Sequence, residues 1–349
     1  MKKILFLCCA FLSLFCHAEM EKNPFEDVHP YAFQRLAGGD FHLPDINYPI
    51  VGINVSKLKT TKHCQELENK KLYRSDYKNS MGYHRQKTDG TYYGGYLFFS
   101  VYKKLTSKNC FIIDCNDNGG GRRTFTSYLF IKKHRKNYYD SGEIKIIDIL
   151  TCEGDFGKNA PSNEIIEKVE KFTKQKPQSK EIEPSDKEFK DIHPYAFYYL
   201  SGGDYRLQDT ERSIISVNAS KFKLSIKSNE VSGKTVYIKD NKIGFTYKLD
   251  SLAQDKKHLE KDNFYVVVYK KLSNLNYYIV KCVFTRGNNI PQVDYLLIRK
   301  HYKYYYYWDK FAVMEVLTCD GDFGKNAPSN EEIERVTKLI SKKIIGDIP

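Results

Sequence analysis

Several signatures of common enzyme and membrane classes are missing from this chain. It holds no Gly-x-Ser-x-Gly, no His-Glu-x-x-His and no phosphate-binding loop, so the hydrolase, zinc-protease and nucleotide-cradling chemistries that those motifs carry have no footing in it. Beyond the first eighteen residues no run is long and apolar enough to span a bilayer. Tryptophan occurs once, at Trp308, and no acidic loop has the ligand spacing of an EF-hand. The sequence therefore implies no metal and no cofactor.

What is present begins with an export signal. Lys2 and Lys3 precede an apolar run from Ile4 to Phe15, and the small residue Ala18 offers a cut site. Residues 1–18 are read as a signal peptide, and the mature protein is expected to be periplasmic or secreted. The net charge of +13 favours an acidic protein partner or an anionic glycan. Nucleic acid is not expected for an exported chain.

The most informative feature is an internal repeat with a period of about 165 residues. "HPYAFQRLAGGDF" from His29 returns as "HPYAFYYLSGGDY" from His193, and "LTCEGDFGKNAPSNE" from Leu150 returns as "LTCDGDFGKNAPSNE" from Leu317. The expected organisation is two tandem copies of an α+β domain, at 24–176 and 188–345, joined by a polar, proline-containing linker at 177–187. Each copy opens with a short helix, in which Pro30 suits the first turn and Gly38 the C-terminal end. A run of β-branched and aromatic segments follows, with no helices between them, which predicts a mainly antiparallel sheet. A longer helix closes each copy. In the second, Ser329 and Glu332 have capping-box spacing, and Ile333, Val336, Leu339 and Ile340 form one apolar stripe.

Removal of the signal takes away Cys8, Cys9 and Cys16, which leaves an even number of cysteines in an exported chain. Cys115 corresponds to Cys282, and Cys152 to Cys319. This matching predicts the disulfides Cys115–Cys152 and Cys282–Cys319, with Cys64 and Cys110 left to pair together. Each matched bond would close about 37 residues, worth about 4 kcal/mol in the loop-closure picture.

The candidate sites come from the duplicated polar residues. The loop Gly154–Asn163 and its identical copy Gly321–Asn330 are rich in oxygen ligands. A calcium loop is conceivable, but Lys158 and Lys325 sit in the middle, and Asp155 and Asp322 are read as binding backbone amides in a turn. "GGDF" at Gly38 and "GGDY" at Gly202 resemble the four-residue signature of cyclic-dinucleotide synthases. They follow a helix, however, and are read as its stop. His29 and His193 precede the helix proline and suit capping or packing. Asn54-Val-Ser and Asn218-Ala-Ser match a glycosylation acceptor within a strand.

Basic aromatic strands give the best binding candidate. "KKHRKNYY" from Lys132 and "RKHYKYYYYW" from Arg299 interleave lysine with tyrosine. The candidate binding residues are Lys133, His134, Tyr138 and Tyr139 in the first copy. In the second they are Lys300, His301, Tyr305, Tyr307 and Trp308. In a strand Lys303, Tyr305 and Tyr307 share one face, and Tyr304, Tyr306 and Trp308 the other. One face presented to a partner would give an interface, whereas a strand buried on both sides would give only core. The leading expectation is a non-enzymatic exported binding protein acting by protein–protein contact, such as an inhibitor or toxin-immunity protein. The alternatives are an envelope hydrolase using His134 or His301, and a glycan-binding or adhesion module.

Overall fold

A computed structural model describes residues 24–25, 27–38, 50–58, 66–67, 70–75, 80–86, 92–118, 124–174, 189, 191–202, 213–223, 230–231, 234–239, 242–248, 261–272, 276–285, 289–307, 309–342 and 347–348. The first copy runs through helix α1 (Tyr31–Leu36), strands β1 (Ile50–Asn54), β2 (Glu66–Leu67), β3 (Lys70–Ser75), β4 (Ser80–Gln86), β5 (Tyr92–Lys104), β6 (Cys110–Asn118), β7 (Thr124–Asp140) and β8 (Glu143–Asp155), and helix α2 (Asn163–Lys174). The second repeats this order. It has α3 (Tyr195–Leu200), β9 (Ile214–Asn218), β10 (Glu230–Val231), β11 (Lys234–Lys239), β12 (Lys242–Lys248), β13 (Lys261–Lys271), β14 (Tyr277–Thr285), β15 (Gln292–Tyr307), β16 (Lys310–Gly324), α4 (Asn330–Ser341) and β17 (Asp347–Ile348).

Local signals act as the sequence implies. His29 Nδ1 and His193 Nδ1 accept the amides of Tyr31 and Tyr195, each at 3.1 Å, at the start of α1 and α3. Gly38 and Gly202, at φ of 81° and 89°, end those helices in the left-handed region. The capping box of α4 forms through Ser329 and Glu332, and Ile333, Val336 and Ile340 are buried beneath it.

The copies do not stand as tandem α+β domains. The fold is mostly β, and its ladders cross between the copies. Strand β1 lies antiparallel to β9, with Ile50 opposite Val217 and Ile53 opposite Ile214. Ile50 and Ile214 hold equivalent places in the repeat, as do Ile53 and Val217, so the pairing is self-complementary, as at a two-fold axis. The axis passes Gly52 and Ser216, which face each other. On the outer edges β8 covers β1 and β16 covers β9.

Each long hairpin then reaches into the other copy. Tyr306 and Tyr307 of β15 run parallel to Gly154 and Asp155 of β8. The equivalent Tyr139 and Asp140 of β7 run parallel to Gly321 and Asp322 of β16. The ladders β1–β8–β7–β16–β9 thereby close a ring of five strands. Strand length explains why. Strand β7 has 17 residues and β6 only 9, so the end of β7 needs another neighbour to satisfy its backbone. The other copy supplies it.

One hydrophobic core runs through both copies. It joins Phe25, Phe33, Phe99 and Phe111 to Phe189, Phe197, Phe245 and Phe264 through Ile53, Leu150, Val217 and Leu317. Two smaller clusters lie under the closing helices, and each takes a tyrosine from the other copy. Tyr306 enters the cluster with Ile166 and Val169 of α2, and Tyr139 the cluster with Ile333, Val336 and Ile340 of α4. Glycine is required where these hairpins cross. A Cβ on Gly154 would lie 2.7 Å from Tyr306 Cβ, and one on Gly321 would lie 2.6 Å from Tyr139 Cβ.

Candidate functional site

The strands singled out by sequence do not present one basic aromatic face to solvent; Tyr138, Tyr139, Tyr305 and Tyr307 meet the opposite copy, whereas Lys133, His134, Lys300 and His301 bond within their own. Tyr139 is fully buried, with its hydroxyl accepting from Arg335 at 3.0 Å. Lys300 is 1 % exposed and pairs with Glu315 at 2.7 Å. Lys133 donates to the Pro24 carbonyl at 2.8 Å and pins the segment that carries the buried Phe25. Tyr138 and Tyr305 are half-buried against the core. Tyr307 is 36 % exposed, and Trp308 lies outside the described residues. Alternation alone missed this because Tyr304 and Tyr306 share a face, yet Tyr306 is buried with Ile166 and Val169 of α2 while Tyr304, edge-on to Phe172 of the same helix, stays exposed.

What these residues build is a polar cluster present twice across the pseudo-two-fold axis. In one instance Lys303 of β15 pairs with Glu153 of β8 at 2.7 Å, and Tyr305 Oη lies 3.5 Å from Cys152 Sγ. In the other, Lys136 of β7 pairs with Asp320 of β16, both buried, and Tyr138 Oη lies 3.6 Å from Cys319 Sγ. Arg299 adds a second cation at 3.1 Å from Asp320. Beside each pair stands a histidine on a threonine: His134 Nε2 is 3.4 Å from Thr151 Oγ1, and His301 Nε2 is 2.9 Å from Thr318 Oγ1. Thr318 also meets Ser216 at the axis, at 2.9 Å. Burial, reinforced by Arg299, Lys136 and Lys303, holds His301 well below the usual imidazole range.

The expected disulfides are absent. Cys110, Cys115, Cys152, Cys282 and Cys319 are buried thiols held in no disulfide, and the register gives the reason. Cys115 on β6 faces Ser127 of β7, whereas Cys152 on β8 faces Ile131 of the same strand. Strand β7 thus lies between them, and two ladder spacings of about 4.8 Å each exceed the Cα separation of about 7 Å that a disulfide can bridge. Cys282 and Cys319 are separated by β15 in the same way. Cys64, proposed as the partner of Cys110, lies outside the described residues. Burial pushes the Cys152 thiol up to about 12 and the Cys110 thiol up to about 11, so neither offers a thiolate nucleophile at neutral pH.

The remaining marked groups serve the scaffold. Asp155 Oδ1 and Asp322 Oδ1 accept the amides of Gly157 and Gly324 at 2.8 and 2.7 Å, and the described residues contain no cluster suited to a metal. Asn54 and Asn218 are buried and cap short 3-10 turns by accepting from Ser56 and Ser220. The hydroxyls of Ser56 and Ser220 accept from Asp148 and Glu315, so the Asn-x-Ser repeats tie a turn to a neighbouring strand.

The outward surface repeats a different feature. Tyr102, Lys103 and Lys104 at the end of β5 are exposed, as are their counterparts Tyr269, Lys270 and Lys271 at the end of β13. Each leading tyrosine meets a second one edge-on at 5.3 Å, Tyr102 against Tyr128 and Tyr269 against Tyr295. The segment reads "VYKKL" in both copies, from Val101 and from Val268. Its signal was that tyrosine and paired lysines recur at the end of a strand. Among the described residues no helix is long and apolar enough to cross a membrane. No family model, no curated protein and no solved structure matches the chain.

Proposed function

We propose that this protein is an exported, non-enzymatic binding protein that acts by contact with another, acidic protein, in the manner of an inhibitor or an immunity protein. The observation that carries the reading is where the duplicated reactive groups point. The histidines sit on helix amides or threonines, the cysteines are buried thiols, and the interface carboxylates pair with lysines of the opposite copy. What recurs on the outside is tyrosine with paired lysines, a composition suited to an interface with an acidic surface. The pseudo-two-fold axis gives this surface twice.

The test is site-specific photocrosslinking of the exported full chain, with the crosslinker at Tyr102 or Tyr269. Ile290, which is 90 % exposed, is the control position. A discrete protein adduct at the tyrosine positions and not at Ile290 is expected. No adduct, or the same adducts at all three, contradicts the proposal.

A further inference from the structure

The two copies differ where the strand end meets the closing helix. In the first, the turn after β5 is fastened to α2: the Thr106 amide donates to Glu170 at 3.0 Å, and the hydroxyls of Ser107 and Thr173 meet at 2.6 Å. In the second, Thr337 and Ile340 stand where Glu170 and Thr173 stand in the first. Thr337 donates its hydroxyl to the Ile333 carbonyl at 2.7 Å, and Ile340 has no polar atom. An acid and a hydroxyl anchor are thus lost from this helix face. Here a cavity of about 560 Å³ opens between the end of β13 and α4.

The chemistry of that cavity is one-sided. Its rim carries Lys270, Lys271 and Lys338, and the only carboxylate among its described lining residues is Glu334, already paired with Lys338 at 2.7 Å. Its floor is apolar, formed by the buried Leu272 and Ile333. We propose that this cleft docks a short acidic and apolar segment of a partner protein, with carboxylates against the lysines and an aliphatic side chain on the floor. This rests on the acidic-partner reading above and assigns its principal contact to the second copy. The first copy's Glu167 and Glu170 place two acids at the equivalent place, which suits it less to such a ligand.

The full mature chain would be titrated with a fluorescein-labelled peptide of alternating glutamate and leucine. The same peptide with lysine for glutamate is the control. Salt-sensitive binding of the acidic peptide only is expected. Thr337→Glu, which restores the first copy's acid, and Lys271→Glu should each weaken it by at least about tenfold, because like charge then faces the ligand. Thr337→Ser, and Lys104→Glu in the first copy, should bind as the parent does. Melting curves would confirm that every variant is folded. Absence of binding, or equal binding of the lysine peptide, overturns the proposal. Binding that all variants retain also overturns the cleft assignment, yet leaves the acidic-partner reading standing. The crosslinking experiment judges that reading separately.

Discussion

Alanine at Gly321 tests the crossing of the copies most sharply. The Cβ it introduces would lie 2.6 Å from Tyr139 Cβ and 2.8 Å from the Tyr139 carbonyl oxygen, well inside ordinary carbon contact of about 3.5–4.0 Å. Neither atom is the end of a flexible side chain. Relief requires the β7 tip to move away from β16, which disturbs the parallel pairing of Tyr139 with Gly321 and loosens Tyr139 in its buried place under α4. Overpacking of this kind costs about 1–3 kcal/mol. At about 2–4 °C per kcal/mol for a unit of this size or somewhat smaller, the melting temperature of the full chain should fall by several degrees. Gly154→Ala should behave alike, since its Cβ would meet Tyr306 at 2.7 Å. Gly157→Ala separates space from backbone strain. No atom lies within 4 Å of its added Cβ, but its φ is 76°, so it should lose only about 1–2 kcal/mol through the left-handed conformation. Calorimetric melting of the three variants reads these costs. If Gly321→Ala melts within about 1 °C of the parent, no steric overlap exists there, and the account of the crossing is wrong.

Other consequences follow from the same geometry. Lys136→Met leaves the buried Asp320 with Arg299 alone and, because that charge stays partly compensated, should cost about 1.5–3 kcal/mol in chemical denaturation. The same change at the exposed Lys145, paired with Asp140 at 2.6 Å, should leave the denaturation midpoint where the parent has it, because solvent screens a surface pair. The described cysteines should resist a thiol reagent at neutral pH in the native chain and react after denaturation; rapid native labelling of Cys152 would contradict its burial. His301 gives a pH dependence of known sign. Its folded form is held neutral below the ordinary value of about 6.5, so the unfolded chain binds the proton first. Its contribution is present above about pH 6.5 and is lost as pH falls below that value toward the lowered folded one. Urea unfolding across this range should show stability declining with acid, and His301→Gln should decline less.

Much of the local structure was legible in the residues. Pro30 and Gly38 bounded a helix, Ser329 and Glu332 capped another, and the duplicated Asp155 and Asp322 acted as turn residues. The partnering of the copies was not legible, because β-branched alternation specifies which face a residue takes and not which copy lies beside it. The usable hint was the length of the basic aromatic segments, since a strand of 17 residues outruns a neighbour of 9. The matched cysteines misled for a related reason. Duplication marks positions under the same constraint, and a buried thiol beside a tyrosine satisfies it as readily as a bond would. Tyr306 of β15 reads as a surface residue because its burial is supplied by α2, which lies over a hundred residues earlier in the chain.

Cutting the chain between its copies tests the shared sheet most directly. A protease site placed within residues 177–187 of the full chain would be cleaved after folding, and the product passed over a sizing column with light-scattering detection. The two fragments should remain one particle of unchanged mass, held by the β1–β9 ladder, the crossed hairpins and the common core, and should part only in denaturant. Separation into two folded halves under native conditions would contradict the account.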